Sequence, residues 1–386
     1  MMSDNKLSFD TLSNACNSGD VNFVRSVIIK HGSIINQEVL LKVFQYDAVA
    51  NNEMATVLLD YVTDINYSNN NYYKNQSFLN SACEHGSATL VQRILDRGAI
   101  WCESLKSQYS SNYDALSFAV RGGRLDVIKL LMNDSNHGPV SSNCIKYALK
   151  NASYAGHIDI IQYLISYGVD SSALGAALCD AVISGKIPTI EFLLNNNANI
   201  NYYDKDHNTP LYYACDNEKY DLVRFLLAHG ADPNLVDYSR NSPFFTSLWC
   251  PDLAKILIDS GANVNQIYNN EYKTALLAMA KLRTEAYHDS FKQLLEHGAD
   301  PNLAHPDTGD TALLMCARYP SMRVFKLLLE HGADVTHTNY AGVSALDLLT
   351  GATTDTGNDN RYTELIIQLC YEYKDRNMQY IQHILK

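Results

Sequence analysis

Residues Thr209 to Asn234 read TPLYYACDNEKYDLVRFLLAHGADPN. The closing HGADPN returns as SGANVN at 260–265, again as HGADPN at 297–302, and as HGADVT at 331–336. Ahead of that ending, Leu222, Val223, Leu226 and Leu227 recur at helical steps, as do Val127, Ile128, Leu130 and Leu131 farther back. That period lays one apolar stripe along a helix and predicts a neighbour to cover it. Each such helix stops at a glycine in the position after the cap: Gly98, Gly168, Gly230, Gly261, Gly298 and Gly332. In NNNANIN the slot holds Asn197, the residue next most tolerant of a left-handed backbone.

A second register runs through the helix that precedes each striped one. Counting seven places from its leading Leu reaches a Gly at Leu12/Gly19, Leu79/Gly86, Leu116/Gly123, Leu149/Gly156 and Leu178/Gly185. Glycine there predicts a tight turn with positive φ between two helices. The unit is therefore helix, turn, helix and loop. A generic helical bundle predicts the stripes but not Leu and Gly returning in phase.

With Thr209, Pro210, Leu211 and Ala214 in place, and Tyr212 where histidine is usual, the chain resembles the ankyrin-repeat family, whose period is about 33 residues. The resemblance implies an all-α solenoid of about eleven helix-turn-helix units. They begin near Phe9, Val43, Ser77, Asp114, Tyr147, Gly175, Thr209, Ser242, Thr274, Thr311 and Ser344. Three regions follow from their regularity: 1–76, with degenerate repeats and the Asn-rich loop NYSNNNYYKNQ (66–76); 77–350, the regular array; and 351–386, a loop insertion followed by capping helices. The second repeat is degenerate, with Val62 in the closing Gly position and Ala50 in the turn. It and its loop are expected to exchange amide hydrogens faster than repeats seven to ten. The eighth is two residues short before Pro251, the ninth carries about three extra residues around 285–288, and the eleventh is interrupted by GATTDTGNDN (351–360). Atypical ends are expected because a terminal repeat has an apolar face and no neighbour.

Composition narrows the function classes. Of 386 residues, 30 are Lys or Arg and 42 are Asp or Glu, so the net charge is −12. An acidic surface repels phosphate backbones and disfavours a polybasic membrane anchor, so nucleic acid and membrane are not expected partners. No apolar run is long enough to span a bilayer. MMSDNKLSFD has no signal-peptide pattern, and HILK has no lipidation motif. Nine cysteines stand singly, without a C-x-x-C pair. Cys16, Cys83 and Cys215 each follow an Ala at the same point of a repeat, with Cys316 one place earlier, which reads as small-residue packing by free thiols in a reducing cytosol.

Candidate chemistry is sparse. Cys83 and His85 form the nearest Cys–His pair, but Cys83 holds the small-residue slot and His85 precedes the turn Gly86. His229, His297 and His331 precede a helix-ending Gly, where imidazole meets the last carbonyls of the helix without any metal. HPDTGD (305–310) falls in a linking loop, and GNDN (357–360) lacks the ligand pattern of a calcium loop. No phosphate-binding Gly loop is present. The expectation is no catalytic residue, no cofactor and no metal.

In ankyrin proteins the loop tips and the residues before the turn Gly contact partners. The resemblance places these at Lys205, Asp206, Asn208, Asp216 and Asn217 in repeat seven. In repeat eight they are Tyr238, Ser239, Asn241 and Trp249, and in repeat nine Tyr268, Asn270 and Tyr272. Tyrosine and tryptophan supply stiff, large contact area with a polar handle. The chain has 26 Tyr, and Tyr202 and Tyr203 join the same strip. Packing of loop on loop explains the tyrosines equally well, and Trp249 could serve as turn packing or as a contact. The expected function is a scaffold or adaptor, monomeric and cytoplasmic in its own cell or a host's, that binds one or more proteins. The alternative is an effector or modifying enzyme with its site hidden within 1–76. The long array is similar to ankyrin proteins of large DNA viruses and of bacteria that export effectors, and to ordinary cellular scaffolds. The tail at 361–386 is too short to carry the F-box-like segment of the viral type.

Overall fold

The computed structural model describes residues 2–31, 35–45, 51–71, 74–101, 115–133, 140–239, 241–268, 273–281, 288–318, 322–351, 364 and 367–373. The chain divides into two compact units, 1–199 and 200–386. That division follows packing, whereas the three sequence regions follow regularity.

In the first unit, helices pair as α1 (Met2–Asn17) with α2 (Val21–His31) and α3 (Gln37–Val43) with α4 (Asn52–Leu59). After them come α5 (Phe78–His85), α6 (Ala88–Asp96), α7 (Ala115–Arg121), α8 (Leu125–Met132), α9 (Ser142–Ala155), α10 (Ile158–Ile165), α11 (Ser171–Ser184) and α12 (Ile187–Asn195). First helices α5, α7, α9 and α11 pack in succession, and second helices α2, α4, α6 and α8 do likewise. The first helices other than α3 approach closely because one slot is alanine: Ala15, Ala82, Ala119, Ala152 and Ala181 are all buried.

The second unit holds α13 (Pro210–Asp216), α14 (Tyr220–Ala228), α15 (Pro243–Thr246), α16 (Pro251–Asp259), α17 (Ala275–Lys281), α18 (His288–Glu296), α19 (Ala312–Ala317), α20 (Met322–Glu330) and α21 (Ala345–Gly351). Here α13 packs on α15, α17 on α19, and α19 on α21, while α16, α18 and α20 form the second layer. Hydroxyl caps start the first helices. Thr209 accepts from Tyr212 N–H at 3.2 Å, Ser242 from Phe245 at 3.2 Å and Thr274 from Leu277 at 3.2 Å. Among the described residues, ten helix pairs and α21 account for eleven units.

The glycine registers hold, with one informative exception. The helix-ending glycines have φ from 80° to 92°, Asn197 takes 64°, and Gly19, Gly123, Gly156 and Gly185 are likewise left-handed. Helices α6, α12, α14, α16, α18 and α20 close as Schellman turns, as in α14, where Ala231 N–H reaches Leu226 O at 3.0 Å and Gly230 N–H reaches Leu227 O at 3.0 Å. Gly86 instead has φ −84°, so the expectation of positive φ fails there. Its glycine is required for space, since a Cβ would stand 2.7 Å from the carbonyl oxygen of Ala82. In repeat seven the turn position is Glu218, which takes φ 50° itself.

An asparagine ladder ties successive repeats of the second unit. Asn234 donates to Gly261 O (3.1 Å) and accepts from Asn263 N–H (2.7 Å). Asn265 does the same with Gly298 O (2.9 Å) and Asp300 N–H (2.8 Å), and Asn302 with Gly332 O (3.0 Å) and Asp334 N–H (2.8 Å). Asn201 and Asn66 repeat the pattern. The final N of GADPN is thus the staple between repeats. Replacing Asn265 by Ala removes both bonds and is expected to cost about 1–2 kcal/mol, read as a lower urea midpoint for the second unit.

Three sequence expectations are corrected. First, the second repeat opens at the Asn36 cap, not near Val43. Its missing glycine is compensated by Arg97 of the next repeat, whose guanidinium donates to the carbonyls of Leu59 and of Val62, the latter at 2.6 Å. Both its helices bury their apolar faces. Second, the Asn-rich segment read as a loop contains an antiparallel hairpin, β1 (Ser68–Asn71) with β2 (Lys74–Ser77), the one sheet among the described residues. Fast amide exchange is therefore expected at the hairpin rather than in α3 and α4, because a lone two-stranded ladder is marginal in water. Hydrogen–deuterium exchange comparing 68–77 with α13 and α14 checks this. Third, α9 and α11 start at Ser142 and Ser171, well before Tyr147 and Gly175, because Ser141 and Asp170 cap them and no Gly or Pro intervenes. The eighth repeat, two residues short before Pro251, has no left-handed turn. Its first helix tightens into a 3-10 turn, Ser247–Trp249, before Pro251 opens α16. The extra residues at 285–287 and the insertion at 352–360 lie outside the described residues, as does most of the C-terminal cap. Residues 367–373 are helical.

Candidate interaction surface on repeats seven and eight

The linking loops of repeats seven and eight are each closed by an aspartate at the base. Asp204 Oδ1 accepts from the N–H groups of Asp206 and Asn208, both at 2.9 Å, and its other oxygen accepts from the Tyr213 hydroxyl. Asp237 Oδ1 accepts from Asn241 N–H at 2.8 Å. The closed loops hold three rings in a column. Tyr203 stacks on His207 at 3.9 Å, and His207 meets Tyr238 at 4.7 Å. His207 is fixed by Nδ1 at 3.0 Å from Val236 O and by a left-handed φ of 62°. Tyr238, at the end of this column, is 72% exposed.

Beside the column lies the face built from α13 and α15. Tyr212 of α13 is half-buried on this face, where the charges of Asp216 and Asp237 act on its hydroxyl. Burial, followed by those two carboxylates, pushes the Tyr212 phenol up from its ordinary value. Thr246 and Trp249 lie three residues apart, on the same side of the α15 and 3-10 segment. Trp249 keeps 39% of its surface exposed. The result is an aromatic surface with carboxylates at its edge, rigid because each loop is closed by its own hydrogen bonds.

The sequence-derived residues fall into distinct groups. Lys205, Asp206, Asp216, Asn217, Tyr238, Ser239 and Trp249 are exposed. Asn208 and Asn241 are half-buried loop closers. Tyr268 is corrected: it is 1% exposed, packs against Phe245 with tilted rings 4.4 Å apart and meets Ser242 Oγ at 3.0 Å, so it is core. Burial pushes its phenol up to about 12. Asn270 and Tyr272 lie outside the described residues. His207, Tyr212 and Asp237 were absent from the sequence-derived set. Their signal was available in part, since Tyr212 stands in the histidine slot of the repeat motif and His207 sits at a loop tip.

The remaining chemistry candidates have structural partners. His229, His297 and His331 place Nδ1 2.8, 2.7 and 2.8 Å from the carbonyls of Phe225, Gln293 and Leu327. Cys83 is fully buried, whereas His85 is exposed beside Glu84. Asp310 of HPDTGD is buried, bonded to Arg318 at 3.0 Å and to Asn339 at 2.8 Å across to the next loop. Buried Cys215 and Cys316 have thiols pushed up to about 12 by desolvation, which disfavours the reactive thiolate. Residues 9–77 fold, where described, as helix pairs and the hairpin, with α4 against α6. No helix among the described residues is long and apolar enough to cross a membrane.

A family model described as ankyrin repeats (3 copies) matches residues 12–140, 79–174, 116–204, 149–237 and 248–339, well over half of the chain. The chain belongs to the ankyrin-repeat family. Among curated proteins, this ankyrin chain is 27% identical to a probable E3 ubiquitin-protein ligase, XBOS33, of Oryza sativa subsp. japonica. That match covers 32% of the chain and 30% of the rice protein, so the chain spans under a third of the length of the curated relative it matches. Among solved structures, the ankyrin repeat domain of Bcl-3 matches at 24% identity and TM-score 0.44, over 51% of this chain and 85% of its own. An ankyrin repeat domain from Acinetobacter baumannii AYE matches at 28% identity and TM-score 0.43, over 49% and 100%. Family membership rests on the sequence model and on the repeat geometry above. Ankyrin repeats are protein–protein interaction modules, and the functional class follows at that level.

Proposed function

We propose that the chain is a non-enzymatic scaffold or adaptor that binds a protein partner through the loop tips and first-helix face of repeats seven and eight. The observation that carries this reading is the pre-formed aromatic surface of Tyr203, His207, Tyr238 and Trp249. Ordering such side chains before binding lowers the entropic cost of association. Exposed Tyr and Trp are also the residue types that dominate interface energetics. Lys205, Asp206, Asp216, Asn217 and Ser239 form the polar rim, and Asn208 and Asn241 hold the loops in shape. Buried free thiols and the absence of a membrane-spanning helix among the described residues fit work in a reducing aqueous compartment.

The test is affinity capture from source-cell extract with the intact chain, a Tyr238→Ala/Trp249→Ala variant, and an Arg224→Ala variant on the outer helix α14. Circular dichroism verifies that each is folded. Loss of the partner from the double variant alone is the expected result. Retention by the double variant refutes the assigned surface.

A further inference from the structure

We infer that the outer face of repeats one to three is a second docking surface, which takes an acidic segment of a protein partner between Arg25 and Arg93. It lies in the first compact unit and is independent of the tyrosines of repeats seven and eight. Second helices α2, α4 and α6 pack in succession, with α4 in the middle. Five of the eight residues of α4 are buried: Met54, Ala55, Val57, Leu58 and Leu59. A short polar stripe of Glu53, Thr56 and Asp60 is left on its outer side, at helical steps.

Two arginines reach over this stripe from opposite flanks. Arg25 of α2 places Nη2 3.7 Å from one oxygen of Asp60, and Arg93 of α6 donates to the other at 2.9 Å. Arg97, one turn on from Arg93, caps the carbonyl end of α4 at Leu59 and Val62. Three guanidinium groups therefore converge on one carboxylate and one helix C-terminus. A guanidinium has five N–H donors. Arg93 gives one of them to Asp60, and the Arg25 contact is too long for a hydrogen bond. Among the described residues, Asp60 is the one acidic partner of either arginine, and their side chains remain 46% and 48% exposed. Every charged residue of α2, α4 and α6 is described. Asp96 of α6 accepts from Gln92 at 2.8 Å, and Glu53 stands two turns back along α4, about 10 Å from Asp60. Ile29, one turn beyond Arg25 on the same side of α2, is 75% exposed and adds an apolar contact to the patch.

A carboxylate is the group that this arrangement fits, because it matches the guanidinium fork. Asp60 holds the inner side of both arginines, and an incoming Asp or Glu takes their outward N–H groups. A long polyanion such as nucleic acid is disfavoured, since the chain carries −12 and repels it beyond the patch. A short acidic segment responds to charges within a Debye length, about 8 Å at physiological salt. Together with the surface on repeats seven and eight, the patch gives the chain one site in each compact unit, as an adaptor requires.

A display library of short peptides, selected on the intact chain, tests this. Selected peptides are labelled and titrated by fluorescence anisotropy, with Glu→Gln and Asp→Asn versions as neutral controls. Enrichment of acidic peptides is expected. Their affinity should fall about tenfold in Arg25→Gln/Arg93→Gln and hold in Arg224→Gln/Lys255→Gln, a charge-matched change of exposed residues on α14 and α16. Asp60→Asn removes the internal competitor and should tighten binding about threefold. The opposite signs expected for these variants separate a binding site from a loss of folding, which circular dichroism also monitors. Absence of acidic enrichment, or acidic peptides that bind Arg25→Gln/Arg93→Gln as well as the parent, would overturn the inference. Equal losses in the two charge-matched pairs would reduce it to general charge attraction and overturn it too. Unchanged or weaker binding in Asp60→Asn would mean that the arginines serve only to tie repeats together, and would also overturn it.

Discussion

Truncating Leu226 to alanine is expected to destabilise the seventh repeat and the repeat beside it by about 2–5 kcal/mol, the cost of deleting a buried leucine and leaving its cavity. Leu226 is fully buried in α14, and its carbonyl is the acceptor for Ala231 N–H in the turn that ends the helix. The backbone bond survives the substitution, so the loss is one of packing. Because each repeat leans only on its neighbours, the effect should be local. Amide exchange in α14 and α16 should quicken strongly, with little change in α19 and α20. A shift below about 1 kcal/mol, typical of surface positions, would mean that Leu226 is not in the core.

The second large effect is expected at Gly122, by the opposite mechanism. An alanine Cβ at this position would lie 2.0 Å from the carbonyl oxygen of Glu84 and 2.8 Å from its carbonyl carbon. Those are backbone atoms at the end of α5, so no side chain can rotate away. The turn joining α7 to α8 must lift off repeat three, taking Arg124 N–H from Ala119 O with it. A loss of about 3 kcal/mol, the upper part of the overpacking range, is expected for Gly122→Ala. Gly98→Ala is the control, because a Cβ there meets nothing within 4 Å and pays only for its left-handed φ of 83°. Equal melting losses for the two would contradict the account of Gly122. The reading predicts the larger loss at Gly122 and a smaller one, about 1–2 kcal/mol, at Gly98.

These two positions also mark what a sequence does and does not reveal. Leu226 and the helix-ending glycines were legible because a repeated unit writes the same physical requirement many times, and the recurrence at one spacing exposes it. Gly122 stood beside the turn glycine without announcing that its neighbour across the repeat boundary is a backbone carbonyl. Gly86 shared the register of its counterparts yet serves space rather than φ. Arg97 could not be anticipated as a cap for Leu59 and Val62, since that contact joins residues from different repeats. The early starts of α9 and α11 were hidden because Leu and Gly mark only the end of a first helix.

At the surface, the same limit explains Tyr268. Counting back from the helix cap, it falls six residues before Thr274, at the loop base, whereas Tyr238 falls four before Ser242, near the loop tip. Composition saw two loop tyrosines, but position in the loop sends one inward to Ser242 and leaves the other in solvent. The acidic rim was partly legible in Asp206 and Asp216. Asp237 was not, because its visible duty is to close the loop.

The measurement that bears most directly on the central claim is site-specific photo-crosslinking with the intact chain. A photoreactive residue is placed at Tyr238 on the loop face or at Arg224 on the outer helix. The account predicts a partner crosslinked from position 238 and not from 224, with the label mapping to one defined segment of that partner. Crosslinking of the same partner from 224 with none from 238 would contradict it.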